Sequence, residues 1–124
     1  ILTDQPRVPV GRHSVLELPA GMLDGDTVKG AAVKEIAEEC GIVIGANELV
    51  ELTTTNGIAP SPGGSDELIR YFYLERHLTP PQMQEMQGRL HGLQSEGEHI
   101  TLRIVPLSDL ARVSNDSKAI MYVC

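Results

Sequence analysis

The chain has 124 residues, 41% of them hydrophobic, which is ordinary for one folded domain. Seventeen Asp and Glu against ten Lys and Arg give a formal net charge of −7. This charge argues against a nucleic-acid or anionic-membrane surface, because both require clustered basic residues. An acidic protein still binds phosphates where a divalent cation reverses the local field.

No apolar run approaches the roughly 18 residues needed to span a bilayer, and no segment has the pattern of a signal peptide. Cys40 and Cys124 form neither a disulfide framework nor a zinc motif. They indicate a reducing compartment, and we expect the cytoplasm. The chain opens at Ile1 in a stretch typical of a strand, so we expect strands upstream, and targeting from that region stays open.

In chain order, residues 1–10 predict an edge or irregular strand, because Pro6 and Pro9 lack the N–H that a sheet ladder needs. Residues 13–21 predict a short strand ending in a turn. Residues 28–40 predict a helix, with Asp26 or Thr27 as its cap and Gly41 as its terminator. A long loop rich in Pro and Gly follows at residues 56–67, and loops of this length are usually functional or disordered.

Residues 68–78 predict the best strand of the chain, because they contain three consecutive aromatic residues. A short helix is expected from Thr79 to Gly88, since prolines suit a helix entry. An acidic loop at residues 95–98 leads to a strand over 99–107, and the remainder is expected to be helical. This mixed order of elements favours an α+β or α/β/α layered fold.

Three carboxylates of the predicted helix, Glu35, Glu38 and Glu39, fall on one face, because residues at i, i+3 and i+4 are neighbours there. Like charges at this spacing are unfavourable, and more so when covered. One interpretation is a solvated acidic stripe. The other is a cluster of hard oxygen ligands for Mg²⁺ or Mn²⁺.

The stretch from Gly21 to Ile42 resembles the Nudix box, G-x5-E-x7-R-E-U-x-E-E-x-G-U, in which U is an aliphatic residue. Residues 34–42 (KEIAEECGI) match its second half, with Lys34 in place of Arg. The first half departs from the pattern, because only four residues separate Gly21 from Asp26, and Asp26 replaces Glu. The segments LELPAG, SPGG followed by DE, and GLQSEGEHITLRIVP further resemble the ADP-ribose and ADP-sugar pyrophosphatase branch, especially plant-type nucleotide-sugar pyrophosphatases.

The resemblance implies a single Nudix domain over residues 1–124, N-terminally incomplete, with an α+β fold: an α/β/α sandwich around a mixed sheet. It implies a Mg²⁺ site, with Mn²⁺ as a possible substitute. Glu35 and Glu39 would bind the metal directly, Glu38 directly or through water, and the main-chain carbonyl of Ala20 would complete the coordination. In the acidic loop, Glu96 matches the general base and Glu98 a further metal ligand, so Glu96 and Glu38 are the catalytic candidates.

The same resemblance implies a substrate pocket. Arg7 matches a position that contacts phosphates. Gly63 and Gly64 would shape the pocket, and Glu67 would lie near the nucleoside. On sequence alone the favoured explanation of the two glycines is that they are turn residues, and Arg7 is equally well explained as a surface arginine at a strand edge.

The implied activity is hydrolysis of the pyrophosphate of a nucleoside diphosphate sugar, with ADP-ribose or ADP-glucose as first choice and UDP-glucose as the near alternative. A homodimer is usual in this branch, and the expected partner is a small nucleotide sugar, with no nucleic acid or membrane. Two other readings remain open: another Nudix nucleotide pyrophosphatase, and a non-catalytic Nudix module that binds a nucleotide.

Overall fold

A four-stranded antiparallel sheet forms the centre of the computed structural model, which describes residues 1–123. Its strand order is β2-β1-β6-β5, and a separate two-stranded sheet pairs β3 with β4. The strands are β1 (Leu2–Arg7), β2 (Arg12–Glu17), β3 (Val50–Glu51), β4 (Phe72–Tyr73), β5 (Leu90–His91) and β6 (Ile100–Arg103). The α-helices are α1 (Val28–Cys40), α2 (Pro80–Met86), α3 (Leu110–Val113) and α4 (Ser117–Val123).

The two faces of the main sheet bear different helices. Thr3 pairs with Glu17 on one side and with Leu102 on the other, so these three side chains share a face. Helix α1 contacts β5 and β6. On the alternate positions, Leu2 packs with Leu110 of α3 and Ala119 of α4. This layered arrangement of helices on an antiparallel sheet confirms the expected α+β class.

All strand pairs formed by residues 1–123 are antiparallel, whereas the expected mixed sheet also has parallel strands. Strand β1 lies inside the sheet and is not an edge strand. It tolerates Pro6 because the pairing with β6 covers only Leu2 to Asp4. On the β2 side the register shifts between Gln5 and Arg7, so the strand is irregular at its proline, as predicted.

Helix α1 spans the predicted residues. The Thr27 hydroxyl accepts a hydrogen bond from the Gly30 N–H at 3.1 Å, which caps the first turn. Gly41 ends the helix in the left-handed conformation at φ 67°, where a side chain would be strained. Glu39 and Cys40 are its buried residues.

The expected strand over residues 68–78 is wrong in extent, because only Phe72 and Tyr73 are regular strand. One isolated bridge joins Ile58 to Ile69. Between these two pairings, the Tyr71 N–H donates to the Thr53 hydroxyl at 2.7 Å and not to a backbone carbonyl. Aromatic composition favours a strand only where a partner strand is available, and here a side chain interrupts the ladder.

The later elements follow the predicted order. Helix α2 starts with two prolines behind the cap residue Thr79 and ends at Met86. The acidic loop contains a short 3₁₀ helix, Gln94–Glu96, and the strand after it is β6. Cys124 lies outside the described residues. Within them, no helix is long and apolar enough to cross a membrane.

The sheet core can be tested with a matched pair of leucines. Leu102 is fully buried at 0% exposure, whereas Leu107 is 64% exposed. We expect Leu102→Ala to lower the free energy of unfolding by roughly 2–5 kcal/mol, since it leaves a cavity. Leu107→Ala should change it by roughly 0.5 kcal/mol or less. Urea denaturation of both variants checks this, and equal effects would contradict the assigned core.

Candidate active site

The three box glutamates lie on the side of α1 that meets the main sheet and its loops. Glu39 is the deepest, with 6% of its surface exposed, and Glu35 and Glu38 are half-buried. Lys34 provides little compensation, because its ammonium lies 4.0 Å from Glu38 and its side chain is 59% exposed. The face is therefore covered and acidic, unlike a solvated acidic stripe.

The loop after β2 closes over these carboxylates. The Ala20 N–H donates a hydrogen bond to Glu39 Oε2 at 3.0 Å. A Cβ added at Gly21 would lie 1.8 Å from Glu35 Oε1, far inside contact distance, so a side chain at this position would displace the Glu35 carboxylate. The first box residues thus contact the second half directly, although the loop between Gly21 and Asp26 is shorter than the family pattern.

Burial and neighbouring negative charges raise the pKa values of Glu35 and Glu39. The pKa of Glu39 is raised to about 7, mainly by burial and in part by the charges of Glu35 and Glu98, against the opposing hydrogen bond from Ala20. Burial also raises the pKa of Glu35, as do the neighbouring charges of Glu38 and Glu98. Such mutual perturbation is typical of functional sites, where a cation or proton is meant to bind.

The acidic loop contributes one of its two glutamates to this cluster. Glu98 is half-buried and accepts a hydrogen bond from the Leu93 N–H at 3.0 Å. Its charge acts on both Glu35 and Glu39. Glu96 is exposed at the end of the 3₁₀ turn. The backbone ties the loop to the helix, since the Gly92 N–H donates to the Glu38 carbonyl at 3.2 Å.

The donor set suits a hard divalent cation by its chemistry, since all four side chains are carboxylates. The raised pKa values of Glu35 and Glu39, caused first by burial, are consistent with a site that would accept positive charge. In residues 1–123, however, no three acidic, histidine or cysteine side chains converge tightly enough to form a finished metal site. The residues fit a hard cation by the chemistry of their donors, since its charge would offset the repulsion between the carboxylates.

Arg7 makes an ion pair that sequence reasoning missed. Its guanidinium donates two hydrogen bonds to Glu17, at 2.7 and 2.9 Å, and this interaction raises the pKa of Arg7. Arg7 remains 47% exposed while the Glu17 side chain is 8% exposed. The only signal in the sequence was an acidic residue at a strand position next to LPAG. A buried glutamate there needs a cationic partner.

A cavity of about 300 Å³ opens beside the Arg7–Glu17 pair, between β2 and the start of α4. Asp116 also borders it and is 9% exposed. Sequence reasoning assigned no role to this residue, since a lone aspartate between predicted helical segments carries no motif.

The predicted pocket residues of the long loop lie elsewhere. Gly63 and Gly64 are exposed, and the Gly64 N–H closes a turn to the Ser61 carbonyl at 2.9 Å. The Glu67 N–H donates to the Ser65 hydroxyl at 3.0 Å. Among the described residues, no hydrogen bond or ion pair connects this loop to the box glutamates. The structure thus brings together Ala20, Glu35, Glu38, Glu39 and Glu98, and leaves the loop apart.

Comparison with known proteins agrees with this geometry. The model of the NUDIX domain matches residues 1–123. The chain belongs to the Nudix family. It is 42% identical over 132 residues to "Nudix hydrolase 14, chloroplastic" of Arabidopsis thaliana, covering 99% of this chain and 42% of that protein. It is 48% identical over 46 residues to "Putative nudix hydrolase 2" of Caenorhabditis elegans, covering 36% and 20%. The chain thus spans less than half the length of these Nudix relatives.

The buried charge of Glu39 predicts a pH-dependent stability. Since its pKa is raised from 4.5 to about 7, ionisation opposes folding fully above pH 7, less as the pH falls towards 4.5, and not at all below it. Glu39→Gln removes this charge. In metal-free buffer we expect the variant to be more stable than the wild type by up to roughly 3 kcal/mol at pH 8.

Urea denaturation at pH 8, 6 and 4 measures this difference, which should shrink at each step. Glu85→Gln is the control, because the Glu85 side chain is 73% exposed on α2. A difference between wild type and Glu39→Gln that does not change with pH would contradict the raised pKa.

Proposed function

We propose that this Nudix domain is a Mg²⁺-dependent hydrolase of nucleoside diphosphate sugars. Water attacks one phosphorus of the pyrophosphate, giving a nucleoside monophosphate and a sugar phosphate. The observation that supports this best is the covered cluster of four carboxylates, with the pKa of Glu39 raised to about 7. The names of the two relatives, both Nudix hydrolases, support the hydrolase class.

Glu35, Glu38, Glu39 and Glu98 would hold the metal, with the Ala20 carbonyl as the main-chain ligand. When bound, Mg²⁺ neutralises phosphate charge and acidifies bound water. The protein's own contribution is positioning. Helix α1 fixes three ligands on one face, the Ala20 N–H orients the Glu39 carboxylate, and the acidic loop brings in Glu98.

Glu96 is the proposed general base, which would take the proton of the attacking water, and Glu38 is the second proposed catalytic residue. Glu96 is exposed on a short 3₁₀ turn, where a substrate would have access to its carboxylate. Catalytic contacts in a substrate-free protein are commonly long and tighten only in the complex.

Arg7 is the proposed phosphate contact. Its half-exposed guanidinium faces a cavity of about 300 Å³, and a guanidinium suits the planar pairs of oxygens on phosphate. The pair with Glu17 holds Arg7 in place before substrate arrives. Gly63, Gly64 and Glu67 are proposed at the nucleoside end on the resemblance alone.

ADP-ribose or ADP-glucose is the first substrate to test, and UDP-glucose is the near alternative. A second candidate function is a Nudix module that binds a nucleotide without hydrolysing it. The covered glutamates disfavour this candidate. A cluster of four carboxylates opposes folding, and a module that only binds a nucleotide does not need such a cluster.

A homodimer is proposed from the resemblance to the ADP-sugar branch, and a size-exclusion measurement with light scattering tests it. A reducing compartment, cytoplasm or plastid, is proposed on two grounds. Cys40 is a free, buried thiol, and the Arabidopsis relative is named as chloroplastic.

The activity is tested on a panel of ADP-ribose, ADP-glucose, UDP-glucose, GDP-mannose and a nucleoside triphosphate with Mg²⁺. We expect one nucleotide sugar to be turned over. Glu39→Gln should lower kcat/KM by about 100-fold or more, because a ligand of the catalytic ion is lost. The control Glu85→Gln should match the wild type. No turnover by folded protein, with nucleotide binding retained, would favour the binding module.

The roles proposed for Glu96 and Glu98 are distinguished by how the hydrolysis rate of each variant depends on the Mg²⁺ concentration. Glu98→Gln should raise the Mg²⁺ concentration for half-maximal rate, because it removes a ligand. Glu96→Gln should lower kcat by about 10²–10⁴-fold at saturating Mg²⁺, as expected for a general base. Steady-state rates over a Mg²⁺ titration measure both effects. The reverse pattern would exchange the two roles.

A further inference from the structure

We infer that Ser114 and Asp116 are positioning residues of the active site, acting through the backbone of the loop that holds Glu39. This inference concerns the same site as the proposed function and rests on it for the catalytic consequence. The residues lie between α3 and α4, more than 70 positions after the box glutamates, and no motif marks them.

The segment from Ser114 to Asp116 covers the free edge of β2. Strand β2 is the outermost strand on its side of the sheet. The Ser114 hydroxyl donates a hydrogen bond to the Leu16 carbonyl, and the Asp116 carboxylate accepts one from the Leu18 N–H at 3.3 Å. Two side chains thus take the place of a neighbouring strand along this edge.

Both side chains are buried and held in place. Ser114 is 3% exposed and Asp116 is 9% exposed. The other carboxylate oxygen of Asp116 accepts from the Lys118 N–H at 3.0 Å and from the Lys118 ammonium at 2.8 Å. The Asp116 N–H donates to the Ser114 hydroxyl at 3.1 Å. A network with this many satisfied groups is rigid.

The edge that they hold continues directly into the site. Leu18 is followed by Pro19, whose ring fixes φ, and then by Ala20 and Gly21. Ala20 donates to Glu39, and Gly21 lies against Glu35. The hydrogen bond that fixes Leu18 therefore also positions the Ala20 amide, which orients the Glu39 carboxylate. The residues of the loop itself, 20–27, are exposed, so its position depends on such anchors.

An alternative is that Ser114 and Asp116 serve stability only, by capping α4 and packing α3 against it. That role predicts a lower melting temperature with an unchanged site in the molecules that remain folded. The positioning role predicts a loosened Ala20 amide and a weakened metal site in folded protein. The two roles are therefore distinguished by measurements made below the melting temperature.

The experiment compares Asp116→Ala and Ser114→Ala with a matched control, Asp109→Ala. Asp109 is a half-buried aspartate at the entry of α3 and pairs with Arg112, away from β2. Amide hydrogen exchange of Ala20, followed by NMR without metal, reports the loop. Mn²⁺ titration by electron paramagnetic resonance, without nucleotide, reports the carboxylate cluster.

We expect amide exchange at Ala20 to accelerate about fivefold or more in both test variants. A change of this size corresponds to the net free energy of about one hydrogen bond. The Mn²⁺ dissociation constant should rise about fivefold or more, and the Mg²⁺ concentration for half-maximal hydrolysis should rise with it, so that added Mg²⁺ restores the rate. Asp109→Ala should match the wild type in all three. If Asp116→Ala does not fold, Ser114→Ala carries the test.

Unchanged Ala20 exchange and unchanged Mn²⁺ affinity in folded variants would overturn the inference. An absence of hydrolysis by the wild type would instead overturn the proposed function. Because exchange and Mn²⁺ binding need no substrate, they decide the positioning role in either case.

Discussion

The hydrogen bond from the Ala20 amide to Glu39 is the interaction on which the site depends. It joins the end of β2 to the carboxylate helix across a gap of 19 residues in sequence. It also lowers the pKa of Glu39 and so stabilises the ionised carboxylate, although burial has the larger, opposite effect. Without it, the carboxylate of Glu39 would be protonated more readily or would turn towards solvent, and either change would remove one carboxylate from the proposed metal site.

Two kinds of interaction hold the Ala20 amide in position against Glu39. Apolar packing fixes the sheet between its helices, with Leu2, Ile100 and Leu102 almost wholly buried. Polar contacts then fix the end of β2, through the Arg7–Glu17 pair on one side and Asp116 on the other. The carboxylate cluster opposes folding, so the surrounding structure must stabilise it.

Much of helix α1 and of the carboxylate cluster could be predicted from the sequence. The bounds of α1, its Thr27 cap and its Gly41 terminator follow from local chemistry, which requires no tertiary contact to be read. The spacing of Glu35, Glu38 and Glu39 places them on one face for the same reason. The Nudix resemblance supplied Glu98 as a further member of the cluster, and the structure places its charge beside Glu35 and Glu39.

What could not be predicted depends on contacts between distant segments. The strand expected around Tyr71 is short because the Thr53 hydroxyl replaces a backbone partner, which no local propensity encodes. Glu17 and Asp116 drew no assignment because their importance comes from what they touch, Arg7 and Leu18. The position of the long loop with Gly63 and Glu67 depends on weak local turns, so the resemblance alone suggested its role.

The connectivity of the sheet has a consequence for the order of folding. Leu2 of β1 pairs with Arg103 of β6, so the central ladder closes a loop of about one hundred residues, and pairings of such long range are slow to form. Glu98 sits immediately before β6, and the loop at Ala20 leaves β2 on the other flank of β1. Helix α1 can form early from local interactions, but its carboxylates are brought under cover only when that ladder closes. In any kinetic intermediate we therefore expect the acidic face of α1 to be exposed. The proposed affinity for divalent cations would then appear only in the last step of refolding.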